Sequence, residues 1–414
     1  MHFWKPSEDV VAPPSTVPAP KTGASVKASK ADAPAEPRYL LYDTRYHVGF
    51  MAQVEVFFVA LELVSQLNRR LNTACKDAGG PSCQPWTLVL PPWCWVPRWY
   101  HADASRGRPW SDLFNLEGLK AEVAVLDYAS LGNSAVDVGV VLVPGGRTPQ
   151  LKDGHGDFLG FTKDLQACES HGQQVPQAGR KQRNSVVYSG YCDEDLAVKN
   201  LRCGVVRESS LKALVDLAEN VKGRSLLVKH LDALRLHHPE GGLVMKFHHM
   251  LAPAPALVTS AKKFADLALG PLPYLGVHIR RNDFVVTHAV TTPSATAAAS
   301  RINRLLKKRQ LEQVFVAGDA DEGFRADLRS GVKVALYFFS QDDGAELPEL
   351  RGQEELIELQ LASQAEYFIG SAGSAFSAAV RRQRQRLGHP LSTSDEVFCA
   401  NLTAETSRKR CAAE

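Results

Sequence analysis

No stretch of this sequence approaches the roughly 18 consecutive apolar residues of a membrane-crossing helix. The best candidate, Val54–Val64, is interrupted by Glu55 and Glu62. A Cys-x-x-Cys pair is absent, which argues against a zinc ribbon or a thioredoxin-like centre. HExxH, P-loop and GxSxG patterns are missing as well. Asp342-Asp343 sits in an acidic loop and needs no metal, so metal-independent chemistry fits better. One-sided charge is lacking too. The 48 Lys and Arg against 45 Asp and Glu leave a net +3, too little to argue for nucleic acid. The opening MHFWKPSEDVV has no apolar core of a secretory leader before its prolines begin.

What is present is the 44% apolar and 22% charged composition of an ordinary globular protein. Its 414 residues suggest two domains once a tail is removed. Residues 1–37 are rich in Pro, Ala, Lys and Ser, cannot bury enough surface to offset their ordering entropy, and read as a disordered tail or stem. Order begins at Arg38, where RYLLYD has the character of a short buried strand before a loop over Thr44–Phe50. Apolar residues at 57, 61, 64, 67 and 71 predict a helix over Val54–Leu71. WTLVLPPW (Trp86–Trp93) returns to strand character and stops at a proline pair. Residues 145–200 are loop-like.

The second half alternates more clearly. Strands are expected at Tyr274–Ile279, Val314–Ala317, Val332–Phe339 and Tyr367–Ile369, with helices at Ala297–Arg309, Gln353–Ala365 and Ala375–Arg386. Short strands separated by helices argue for an α/β fold of two doubly wound parallel sheets. A cleft between them is the natural place for a nucleotide-linked substrate. The expected divisions are 38–250, 251–395 and a tail at 396–414.

Eight cysteines (Cys75, Cys83, Cys94, Cys168, Cys192, Cys203, Cys399 and Cys411) suit either a few disulfides in an oxidising compartment or buried reduced thiols. Asn401-Leu402-Thr403 is a glycosylation sequon.

Three features fall where a parallel sheet presents its ligand-binding edge. His278-Ile279-Arg280-Arg281 closes a strand, and the planar fork of an arginine suits a phosphate. Alternation points His278 and Arg280 one way and Arg281 the other. The plainer alternative is a pair of surface charges. Gly370-Ser371-Ala372-Gly373-Ser374-Ala375-Phe376 lies between a strand and a helix, where small residues let backbone amides approach an anion. A turn kept small for packing is the competing reading. Asp319, in Gly318-Asp319-Ala320 after the strand VFVA, either contacts a hydroxyl or, the favoured reading, caps the next helix. The basic run Arg381–Arg386 reads as a solvated helix face rather than a nucleic-acid patch.

RYLLYD, LVLPPW, PYLGVHIRRNDF, VFVAGDA and EYFIGSAGSAFS occur in an order and spacing that resembles the GDP-fucose protein O-fucosyltransferases. The likeness is nearest to the branch that modifies thrombospondin-type repeats. QVEVFFVALELVSQLNRR also resembles the first-type branch. The likeness runs from about Arg38 to Cys411 and is poor over 145–250. It implies a GT-B arrangement, with an acceptor-side domain first and a GDP-fucose-binding domain second. It also implies an inverting, metal-independent transfer of fucose to a Ser or Thr of a folded cysteine-rich repeat, in the endoplasmic reticulum lumen. No cofactor, nucleic acid or membrane span is implied.

Carried over by position, Gly49, Phe50, His278, Arg280, Ser374 and Phe376 match donor-binding residues, with Arg280 also catalytic. Glu358 stands where the family has Asp, and Ala375 where it has Thr. The resemblance further implies the disulfides Cys168–Cys203 and Cys399–Cys411. One departure bears on chemistry. The family's PEGFN loop is His47-Val48-Gly49-Phe50-Met51 in this chain, so Val48 replaces the proposed general base. Three outcomes follow: His47 substitutes as base, a donor phosphate oxygen takes the proton, or the chain binds without turnover. The expected activity is therefore peptide O-fucosylation. The alternatives are a non-catalytic GDP-fucose- or repeat-binding protein in quality control, and a related transferase with another acceptor.

Overall fold

In the computed structural model the first sheet starts with β1 (Arg38–Tyr42), whose Leu40, Leu41 and Tyr42 are buried. A strand covered on both faces reads as a continuous apolar run rather than an alternating one. The structure describes residues 37–43, 49–77, 84–93, 96, 107–131, 136–144, 185–191, 194–206, 211–219, 223–229, 231, 247, 250–339 and 352–398. From β1 the chain enters α1 (Phe50–Asp77), β2 (Trp86–Leu90), β3 (Phe114–Asn115), α2 (Glu117–Lys120) and β4 (Val125–Asp127). It continues through β5 (Val136–Pro144), β6 (Ser185–Tyr191), β7 (Glu194–Val206), α3 (Leu211–Glu219), β8 (Ser225–Lys229) and β9 (Ala252–Pro253). Seven strands order as β4-β2-β1-β8-β5-β7-β6. All neighbours are parallel except β6 and β7, which pair antiparallel with Val186 opposite Ala197. The segment expected to be loop-like thus contributes an edge hairpin. Its strand residues are interleaved with charged and polar ones, and edge pairing outweighs that weak propensity.

The helix expected at Val54–Leu71 is longer at both ends. Phe50–Val64 is nearly all buried, because α1 packs on the sheet behind it and on the second half of the molecule in front. By length and composition alone α1 could cross a membrane, but 78% of its most apolar window is buried, as befits a core helix.

The second half comprises α4 (Pro255–Phe264), β10 (Leu275–Ile279), α5 (Phe284–Thr287), α6 (Ala295–Arg309), β11 (Gln313–Gly318) and α7 (Glu322–Gly331). After these come β12 (Ala335–Phe338), α8 (Gln353–Gln364), β13 (Tyr367–Ser371), α9 (Ala375–Arg386) and β14 (Glu396–Phe398). The five strands are parallel in the order β12-β11-β10-β13-β14. The strand expected at Val332–Phe339 is confined to Ala335–Phe338. The sheet also reaches past the expected boundary at 395, since Ile369 pairs with Glu396.

Helices α6 and α7 cover one face of this sheet with Leu275, Val277 and Ile279 in the core between them. The other face, carrying Phe315, Ala317 and Phe368, joins one continuous core with α8, α1 and the first sheet. Residues Glu36–Glu414 form one compact unit.

Helix α9 overturns one expectation. Its basic face is not solvated: Arg384 is completely buried. The reason lies at the end of α8, whose last carbonyls have no partner within the helix. The Arg384 guanidinium donates to Ser363 O at 3.1 Å, to Ala365 O, to Glu366 O at 3.2 Å and to Thr393 Oγ1 at 2.8 Å. Tyr274 Oη donates to Leu361 O of the same turn at 2.7 Å. A cation beside a helix C-terminus also meets the favourable end of the dipole. Burial pulls the Arg384 guanidinium down to about 10, so it stays charged at neutral pH. Arg381 donates to Ser394 O at 3.1 Å, and Arg382 reaches Glu55 of α1 at 3.1 Å. Replacing Arg384 with methionine keeps bulk but orphans several buried carbonyls. It is expected to cost about 3 kcal/mol, read as a lower denaturant midpoint at constant slope.

Candidate functional site

The order of the second sheet reverses between β10 and β13. In a doubly wound sheet, that reversal opens a crevice beyond the carboxyl ends of the two strands. Arg280 follows directly on β10, and β13 ends at Ser371. The sequence motifs HIRR and GSAGSAF are therefore brought together by topology. Ser371 stitches them: its hydroxyl accepts from Arg280 N at 2.9 Å and donates to His278 O at 3.1 Å.

Arg280 is aimed by two carboxylates of unequal character. Nη1 lies 2.9 Å from Asp319 Oδ2, and the Asp319 side chain is 2% exposed. Nη2 lies 2.7 Å from Asp283 Oδ1, on a side chain that is 54% exposed. Coulomb attraction is strong where water is excluded and worth at most about 1 kcal/mol where it is not. Asp319 is thus the fixed holder, and Asp283 a partner that an incoming anion can displace.

Asp319 does not cap the following helix, contrary to the favoured expectation. Asp321 does so, accepting from Phe324 N at 2.8 Å. Asp319 Oδ1 instead accepts from Arg281 N at 2.5 Å. The adjacent Gly318 has φ of 136°, and a Cβ there would lie 2.2 Å from Ile279 O, so only glycine lets β11 run this close to β10. Arg281 departs to the opposite face, over the Phe324 ring at 4.4 Å, and donates to Pro293 O at 3.0 Å.

Across the crevice, the turn into α9 passes through Gly373 at φ of 68°. Ser374 is the N-cap of α9, and Phe376 is half-buried with its ring 4.5 Å from the His278 ring. His278 is 3% exposed, and its Nδ1 lies 2.8 Å from Ser377 Oγ. Ser371 falls within the small-residue turn singled out in the sequence, but neither its hydroxyl nor Ser377 was assigned a role there. The available signal was a hydroxyl on each side of a glycine turn at a strand's carboxyl end.

In the first half, Gly49 immediately precedes α1, and its carbonyl accepts from Ala52 N at 2.9 Å and Gln53 N at 3.2 Å. A Cβ on Gly49 would meet nothing within 4 Å, so the fold itself does not require glycine there. The Phe50 ring is wholly buried, 4.9 Å from Trp93 and stacked 5.9 Å from Phe114. It fixes the entry of α1 rather than offering a face to a ligand. Trp110 extends this cluster and donates to Pro91 O at 2.8 Å, tying the end of β2 to it.

Glu358 lies half-buried in the middle of α8. His47, Val48, Cys168, Cys399, Asn401 and Cys411 lie outside the described residues, as does the side chain of Cys203. Cys75, at the end of α1, is disulfide-bonded. Among the described residues no three His, Cys, Asp or Glu side chains cluster as a metal site.

The two sheets share their arrangement with solved transferases. The crystal structure of POFUT1 in complex with GDP-fucose superposes with a TM-score of 0.53 at 17% identity, covering 89% of this chain and 99% of that one. The POFUT1 complex with GDP gives 0.53 at 16%, covering 88% and 99%. Two doubly wound lobes of this kind are the GT-B fold of a glycosyltransferase.

The chain belongs to the GDP-fucose protein O-fucosyltransferase family, whose sequence pattern matches residues 39–387. It is similar to human GDP-fucose protein O-fucosyltransferase 2, with 27% identity over 92% of this chain and 90% of the relative. The Caenorhabditis elegans protein of that name is 25% identical over 92% and 90%.

Gly318→Ala is expected to destabilise the protein by at least about 2 kcal/mol, since the added Cβ forces β10 and β11 apart at Asp319. Urea unfolding checks this.

Proposed function

We propose that this protein transfers fucose from GDP-fucose to a Ser or Thr hydroxyl of a folded, cysteine-rich repeat of the thrombospondin type. The observation that carries the reading is Arg280, aimed into the switch-point crevice by the buried Asp319. The names of the relatives, GDP-fucose protein O-fucosyltransferase 2, support the same donor and a protein acceptor.

In this reading the diphosphate takes the place of Asp283 on the Arg280 fork, and Ser374 with the N-terminus of α9 supplies amides to it. Phe376 flanks the nucleotide, His278 contacts the donor, and Glu358 and Gly49 belong to the same pocket. The acceptor oxygen attacks fucose C1 from the face opposite the diphosphate. The bond from C1 to the β-phosphate oxygen breaks, and configuration at C1 inverts. GDP leaves with the bonding electron pair. The guanidinium of Arg280 meets that charge without a metal. The hydroxyl proton passes to His47, which precedes Gly49 by two residues where Val48 has no basic atom.

In this reading the chain works in the endoplasmic reticulum lumen, and the disulfide at Cys75 supports an oxidising compartment. A second reading, a non-catalytic binder of donor or repeat, is favoured by Val48 alone.

Incubation with GDP-fucose and a folded thrombospondin repeat should add one deoxyhexose to the repeat by intact mass. His47→Ala should slow that transfer by about 10²–10⁴-fold with donor affinity retained. Donor binding with no mass gain by the wild type would select the second reading. Equal rates in the variant would remove His47 from the reaction.

A further inference from the structure

We infer that Ser377 is a positioning residue that fixes the tautomer of His278, so that this imidazole acts as a hydrogen-bond donor through Nε2. The hydroxyl of Ser377 is fully buried and has two partners at hydrogen-bond distance. One is the amide of Ser371, at 2.9 Å, which can only donate. The other is His278 Nδ1, at 2.8 Å. A buried hydroxyl proton needs an acceptor, and among the described residues Nδ1 is the acceptor within its reach. Ser377 therefore accepts from the Ser371 amide and donates to Nδ1. That nitrogen carries the lone pair, and the ring proton resides on Nε2. An imidazolium would place an N–H at Nδ1 as well. Ser377 would then face two donors with its own proton stranded.

The surroundings keep this arrangement rigid. A Cβ on Gly370 would lie 2.5 Å from Ser377 Oγ and 2.7 Å from its Cβ, so the hydroxyl occupies the space that glycine leaves on β13. Phe376 holds the plane of the imidazole, with rings 4.5 Å apart and 31° between them. Ser371 bridges the main chain of the same histidine to Arg280. Two serines of one strand–helix turn thus fix the backbone and the ring of His278 separately. A glycine that reads as mere packing in the sequence is the device that admits the second.

A donor tautomer suits an acceptor-rich ligand, the phosphate oxygens or sugar hydroxyls of a nucleotide sugar, and it disqualifies His278 as a base. The ligand part rests on the GDP-fucose reading above; the tautomer does not. The test uses the full chain with ¹⁵N-labelled histidine and long-range ¹H–¹⁵N correlation spectra at neutral pH, with His278→Gln for assignment. The wild type is expected to show His278 protonated at Nε2. Ser377→Ala should shift the signal toward the other tautomer and weaken GDP-fucose binding about tenfold in calorimetry. Gly370→Ala, which pushes the Ser377 hydroxyl away, should do the same. A wild-type His278 protonated at Nδ1, or a tautomer unmoved by Ser377→Ala in a folded variant, would overturn the assignment. Wild-type spectra as expected without GDP-fucose binding would leave the tautomer standing and defeat the functional reading instead.

Discussion

The buried ion pair between Arg280 and Asp319 is the contact on which the rest of the site depends. It forms because β10 and β11 lie side by side and end together. Gly318 allows that meeting, since any side chain there would strike Ile279 O. Asp319 then performs two tasks with two oxygens, holding the Arg281 amide and the Arg280 guanidinium. Because the carboxylate is desolvated, breaking its pair with Arg280 is expected to cost about 3–5 kcal/mol. The pair to Asp283 lies in water and carries no such penalty. One guanidinium is thus fixed through Nη1 and open to an anion through Nη2.

The opposite wall of the crevice is fixed from a distance. Helix α9 presents Ser374 and Phe376 at its beginning and is anchored near its end by Arg384, which satisfies the carbonyls closing α8. Between these points Arg382 meets Glu55 of α1, joining the halves of the molecule. That pair is partly exposed and worth at most about 1 kcal/mol, so apolar packing of α1 against α8 and α9 is the stronger tie. A small cleft lined by Met51, Val54, Leu356, Leu359, Arg382 and Arg386 remains along this seam.

Much of this was legible from residue order. Apolar runs bounded by Gly and Pro marked β1, β2, β10, β11 and β13, and the two loops at the switch point stood out by composition. What escaped reading depended on partners remote in the chain. Arg384 looks like one more charge in a basic run until the end of α8 is placed beside it. Asp319 reads as a cap in sequence, yet Asp321 caps the helix and Asp319 holds Arg280 and the Arg281 amide. Phe50 sits in a motif that implies ligand contact, yet Trp93 and Phe114 enclose it. The hairpin of β6 and β7 gave no signal, because Gly and charged residues interrupt its apolar ones and the segment reads as loop-like.

The central claim is that Arg280, held by Asp319, grips a diphosphate. Calorimetric titration of GDP and GMP into the wild type and Arg280→Ala tests it most directly. GDP should bind the wild type at least about tenfold more tightly than GMP, and the variant should lose that preference along with most of its GDP affinity. An undiminished preference for GDP in the variant would contradict the account.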